Sequence, residues 1–153
     1  MTYAKFPIGI QDFETIICKG YTYVDKTELI YSLIRSGKSY FLSRPRRFGK
    51  SLLLSTFEAL FLGKSDLYQG LWIAGSDWDW TPFPVIRLDM GGVNNDNPDL
   101  FERSLVRTLN KIASDHNIAL DGETSSDYLA NLIERLARII DDYNLYTLGD
   151  LKI

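Results

Sequence analysis

The run Arg44-Pro45-Arg46-Arg47-Phe48-Gly49-Lys50-Ser51 constrains this chain more than any other stretch. It joins a short apolar segment to an apolar helical stripe through most of a phosphate-binding loop. Such a loop needs backbone N–H groups that converge on phosphates, a lysine that reaches the outer phosphates and a hydroxyl that ligates Mg²⁺. Gly49, Lys50 and Ser51 supply the end of that pattern in the right order. The position of the leading glycine of G-x-x-x-x-G-K-[ST] holds Arg44, and Pro45 fixes the next φ, so the first half of the loop departs from the standard backbone.

The flanks fit the same reading. Ser39-Tyr40-Phe41-Leu42 has strand character, and Leu52, Leu53, Leu54, Phe57, Leu60 and Phe61 recur at helical spacing. Strand, loop and helix in that order predict phosphates at the helix N-terminus, where the dipole and unpaired N–H groups favour an anion. The plainer reading makes Gly-Lys-Ser a helix start with Ser51 near the cap and Lys50 in solvent.

With 153 residues, 45% of them hydrophobic, the chain is the size of one domain and holds enough apolar mass for a core. Its apolar runs fall short of the roughly 18 residues of a membrane span, and Met1 to Pro7 lacks a signal peptide's apolar stretch. A cytoplasmic protein is expected. Cys18 and His116 are the sole residues of their kinds, which excludes an internal disulfide and a Cys/His zinc site. Cys18 reads as a small apolar filler and His116 as a helix-end residue. Residues 1–64 hold ten Lys/Arg against five Asp/Glu, whereas residues 65–153 hold seven against fifteen. The basic half contains the loop, which suits an anionic ligand there better than general nucleic-acid binding.

Along the chain, Asp25-Lys26-Thr27-Glu28 resembles a capping box and starts a helix carrying Leu29, Ile30, Leu33 and Ile34, which Gly37 ends. Gly63 stops the helix after the loop. Residues 66–73 read as a turn with a short apolar element, 77–83 as an aromatic loop, and 85–89 as a second strand closed by Gly91-Gly92. Two amphipathic helices follow. One carries Leu100, Phe101, Leu105, Leu109 and Ile112, and the other starts at Thr124-Ser125-Ser126-Asp127 and carries Tyr128, Leu129, Leu132, Ile133, Leu136, Ile139 and Ile140.

Three motifs taken together, Tyr23-Val24-Asp25-Lys26-Thr27, the Arg44 to Leu52 loop and Pro84-Val85-Ile86-Arg87-Leu88, resemble the AAA-ATPase-like domain family, a branch of P-loop ATPases. The resemblance covers roughly residues 5–92. It implies an α/β fold, a P-loop NTPase-like parallel sheet flanked by helices, here incomplete and with a helical C-terminal part. It implies one domain over 1–153, truncated before the Walker B strand, with a P-loop core at 38–92 and a helical segment at 98–142. It further implies ATP and Mg²⁺ as cofactors. The binding set is then Arg46, Arg47, Phe48, Gly49, Lys50, Ser51 and Leu52, with Lys50 on the outer phosphates and Ser51 on Mg²⁺. The segment Val24-Asp25-Lys26 corresponds to the region near the nucleotide base, although a plain helix cap at Asp25 explains the same residues.

No Walker B strand is evident. Asp89, at the end of the expected second strand, and Asp141, in Ile139-Ile140-Asp141-Asp142, are the candidate catalytic acids. Hydrolysis by the chain alone is therefore doubtful, and nucleotide binding is the expected function. The alternative is a non-catalytic module whose Arg-rich loop meets an acidic partner or a nucleic-acid backbone. Expected partners are a nucleotide, a C-terminal nuclease-like domain in full-length relatives, and a second copy of the chain paired through an uncovered sheet edge.

Overall fold

The computed structural model describes residues 5–37, 39–93 and 96–142. Five α-helices are present among them: α1 (Phe13–Cys18), α2 (Thr27–Ser36), α3 (Lys50–Phe61), α4 (Pro98–Asp115) and α5 (Ser125–Asp142), with short 3-10 turns at Ser65–Tyr68, Trp72–Gly75 and Met90–Gly92. The chain divides into two compact units between Val85 and Ile86.

The first unit is built on α1, α2 and α3. Asp12 starts α1 by accepting a bond from the Thr15 amide at 2.8 Å, and the Phe13 amide donates to Ser55 Oγ of α3 at 3.0 Å. One buried cluster joins Phe13, Ile30, Ala59, Leu60, Tyr68 and Ile73. Full burial of side chains the size of Phe13, Ile30, Leu60 and Ile73 stabilises by about 1.5–3 kcal/mol each. Aromatic rings meet edge-on or tilted around it, with Phe13 4.9 Å from Tyr68 and 5.1 Å from Tyr23, and Phe61 5.8 Å from Trp78. The buried Tyr68 hydroxyl donates to Thr56 O at 2.5 Å, which satisfies the one polar atom this ring brings into the core.

Helix α3 ends in a paired C-terminal turn. Gly63 N–H donates to Leu60 O and Lys64 N–H to Ala59 O, both at 3.1 Å, with Gly63 at φ 69°. The chain then doubles back, and Phe83 N–H donates to Phe61 O at 2.6 Å. This return places Trp80 O so close that a Cβ on Gly63 would lie 2.7 Å from it.

The second unit is a helical hairpin. Asn97 caps α4 through the Leu100 amide at 2.8 Å with Pro98 in the first turn, and His116 is the C-cap. Asn117 takes a left-handed φ of 57°, while Ile118 N–H returns to Ala113 O at 2.9 Å. Thr124 and Asp127 cap the start of α5 reciprocally, and Glu102 of α4 accepts bonds from the Ser125 amide and, at 2.9 Å, from its hydroxyl. Leu109, Ala113, Leu132 and Leu136 form the buried seam, flanked by Leu105, Ile112, Tyr128, Leu129 and Ile139.

The expected α/β architecture with a parallel sheet is overturned, because no strand occurs among the described residues. Residues 39–43 and 84–88 carry no secondary structure. Strand propensity records how well a side chain fits a half-buried pleated surface, and a ladder needs a second strand, which is absent among the described residues. Cys18 also departs from expectation: it is exposed rather than a core filler. The capping box at Asp25 is not formed as read. Helix α2 begins after Lys26, which makes no side-chain cap, while Asp25 accepts from the Thr27 amide at 2.8 Å.

Candidate functional site

The residues singled out in the sequence sit at the N-terminus of α3. Gly49 is its N-cap at φ 75°, a conformation that costs an L-residue about 1–2 kcal/mol, and Arg47 is also left-handed at φ 67°. Arg44, Arg46, Arg47, Phe48 and Gly49 are exposed, and Lys50, Ser51 and Leu52 are half-buried. The Lys50 ammonium does not point away from the loop. It donates to Arg44 O and, at 3.3 Å, to Pro45 O, folding the loop onto its own helix start. Leu52 packs on the core of the first unit, and its carbonyl accepts from Ser55 and Thr56 hydroxyls at 2.9 and 2.8 Å. The loop and the helix start are thus one local structure in the first unit, whereas both candidate acids belong to the second. Asp89 belongs to the second unit and caps the Met90–Gly92 turn through the Gly91 amide at 2.9 Å. Asp141 lies in the last turn of α5, so its apolar approach is helical, and its side chain lies outside the described residues.

Sequence reasoning missed a second constellation, on α2. Asp25 Oδ1 accepts from the Thr27 amide and hydroxyl at 2.8 and 2.7 Å, and its Oδ2 accepts from the Trp72 amide at 2.7 Å. Thr27, wholly buried, accepts from the Ile73 amide at 3.1 Å. Burial works against the Asp25 charge, but the bonds from Thr27 and Trp72 outweigh it and hold the pKa below the ordinary carboxylate value. At the other end of α2, Asp77 accepts from the Tyr31 hydroxyl and pairs with Arg35 at 3.1 Å. Those partners, Tyr31 first, lower its pKa too. The acid at Asp25 with Glu28 three residues on, read as a capping box ahead of an apolar stripe, is the signal that marked a helix start. Nothing local marked the partner 47 residues away.

Over residues 7–148 the chain matches the family described as "Predicted AAA-ATPase". It belongs to that AAA-ATPase-like family. A relative from Azotobacter chroococcum mcd 1, described as "Uncharacterized protein in vnfD 5'region", is 40% identical over 99% of this chain. The chain spans 31% of that relative's length. No solved structure gives a significant match.

Membership does not bring the expected nucleotide site with it. A P-loop binds because a sheet holds the loop and the helix start on a common point, and among the described residues there is no sheet to do so. The P-loop ATPase fold implied by the resemblance is thus not the fold these residues adopt. The expectation of ATP binding through a Walker A loop falls with it, and so does nucleotide as a partner. Mg²⁺ fails on its own ground: among the described residues no group of three or more His, Cys, Asp or Glu side chains is placed to hold a metal.

The alternative, an Arg-rich loop for an acidic partner or nucleic-acid backbone, is also overturned. The ion pairs seen are intramolecular, for example Arg35–Asp77, Lys64–Glu14 and Arg135–Asp121, and Lys50 is engaged by its own loop. Self-association through a sheet edge loses its premise, since no strand is present among the described residues, and the C-terminal nuclease-like domain rested on the same ATPase core. Among the described residues no helix is long and apolar enough to cross a membrane.

Proposed function

We propose that this chain is a helical interaction module, one part of a longer family polypeptide, whose exposed apolar stretch at Tyr40-Phe41-Leu42 is covered by another part of that polypeptide. The observation that carries the reading is the exposure of Phe41, at 93%, within a stretch that is nonetheless held in place. The Tyr40 hydroxyl donates to Leu33 O at 2.5 Å and so anchors the stretch on the C-terminal turn of α2. Phe48 and Leu54 add further exposed apolar surface on the same part of the sequence. An apolar segment fixed in position and bare of cover marks an interaction surface. The occupant follows from length: the relative has more than two thirds of its chain beyond the part matched here, ample to supply a covering segment. In this reading residues 1–153 are one incomplete domain. The module works by presenting a surface and needs no catalytic residue of its own.

The test replaces the matching third of the Azotobacter relative with this chain and compares hydroxyl-radical oxidation of Phe41 in the fusion and in the chain alone. Strong protection of Phe41 in the fusion is expected, with unchanged oxidation at exposed Trp72 as the internal reference. Equal oxidation of Phe41 in both proteins would overturn the reading.

A further inference from the structure

Thr27, Tyr31 and Arg35 lie at i, i+4 and i+8 on α2, which sets their side chains in one stripe along the helix. All three hold the same short segment. At its leading end the buried Thr27 hydroxyl takes the Ile73 amide while Asp25 takes the Trp72 amide. At its trailing end the half-buried Tyr31 and the exposed Arg35 take the Asp77 carboxylate. Tyr31 also meets the Trp72 ring edge-on at 5.4 Å between the two attachments. We infer that residues 72–77 form a strap over this stripe with one fixed end, at Trp72 and Ile73, and one releasable end, at Asp77.

The two attachments differ in kind. The leading one combines a core side chain, Ile73, with backbone amides bonded to a charged carboxylate and a buried hydroxyl, and losing it leaves a buried donor unpaired. The trailing one is a surface ion pair with a hydroxyl bond, between side chains 58% and 71% exposed. Such exposed pairs contribute little and are screened by salt. Trp78, packed on the core of its unit, bounds the releasable part on the far side. Opening is therefore confined to residues 74–77: it breaks the bonds that the Ser76 amide and hydroxyl donate to Ile73 O at 3.1 and 2.7 Å and the one that the Trp78 amide donates to Ser76 Oγ at 3.2 Å, and it uncovers the Tyr31 hydroxyl and the Arg35 guanidinium while the Ile73 side chain and amide stay in place. Only short 3-10 structure lies within it, the kind of element that opens below the global unfolding free energy.

Native-state hydrogen exchange of the full chain tests the inference at four amides, Trp72, Ile73, Ser76 and Trp78. In Asp77→Asn, Ser76 and Trp78 are expected to exchange about three- to tenfold faster, the loss of a surface pair and one hydrogen bond, while Trp72 and Ile73 stay unchanged. Wild type in 1 M NaCl should show the same two amides accelerated and the same two unmoved. Asp25→Ala should accelerate Trp72 and Ile73. Thr27→Ser keeps the hydroxyl, so it should preserve the order of the four rates even if Asp25→Ala fails to fold. Uniform acceleration of all four amides by Asp77→Asn, or no change at Ser76 and Trp78, would overturn the strap.

Discussion

Gly63 and Gly70 offer a clean separation of two costs that are normally mixed. Both have left-handed backbones, at φ 69° and 81°, but a Cβ on Gly70 meets nothing within 4 Å, whereas one on Gly63 lies 2.7 Å from Trp80 O and 3.3 Å from Pro82 N. Gly70→Ala therefore carries the conformational cost alone, about 1–2 kcal/mol. Gly63→Ala carries that cost and a clash with backbone atoms, which cannot swing aside as a long side chain can. Overpacking of this kind adds about 1–3 kcal/mol, for a total of about 2–5 kcal/mol. The Phe83 to Phe61 backbone bond that draws the returning chain in should lengthen or break. Urea unfolding followed by tryptophan fluorescence measures both variants. The expected gap is at least about 1 kcal/mol, some 2–4 °C in Tm for a chain of this size. Equal destabilisation by the two substitutions would refute the close approach of the return segment to the end of α3.

Acid should weaken the fold through Asp25, Asp77 and Asp127, whose folded pKa values lie below the ordinary one. A depressed folded pKa gives stability that is complete above the unfolded value near 4 and lost as pH falls below it, so thermal midpoints should hold between about pH 5 and 7 and drop below about pH 4. Asp25→Asn should flatten that drop. Alkali acts through Tyr23 and Tyr68, which burial, foremost, pushes above their usual range, so stability should fall as pH rises past about 10, where the unfolded chain ionises, and Tyr68→Phe should reduce the slope in a pH-jump unfolding assay. Leu60→Ala in the first unit and Leu109→Ala in the second each remove a buried side chain and should cost about 2–5 kcal/mol by chemical denaturation.

Periodicity carried the helices. The stripe of Leu29, Ile30, Leu33 and Ile34 marked α2, Leu52 to Phe61 marked α3, and the two long stripes marked α4 and α5, with a boundary signal at Gly37 for α2, Gly63 for α3 and Thr124 for α5. Helix α1, six residues long, is too short to show a period, and it emerges from contact with Ser55 and Tyr68 rather than from its own pattern. The misjudged strands failed for the opposite reason. Four or five apolar residues fit a strand, a buried turn or an exposed extended stretch alike, and only a partner decides among them. At the loop, the left-handed Gly49 and the helix start after it were legible, because glycine chemistry is local. The engagement of Lys50 by Arg44 O was not, nor was the Asp25 clasp, since both depend on where the chain returns.

The carboxylate of Glu102 has a consequence for the order in which the hairpin assembles. Its acceptor oxygens hold the amide and hydroxyl of Ser125, 23 residues further on, so the first turn of α5 is completed by a group from α4. During synthesis α4 leaves the ribosome first and α5 arrives to a prepared acceptor, with the Thr124–Asp127 exchange supplying the local half of the same start. A peptide limited to α5 lacks the distant half and begins to wind later along its sequence. The start of the second helix thus combines a local cap with a contact that exists only once the two helices pair.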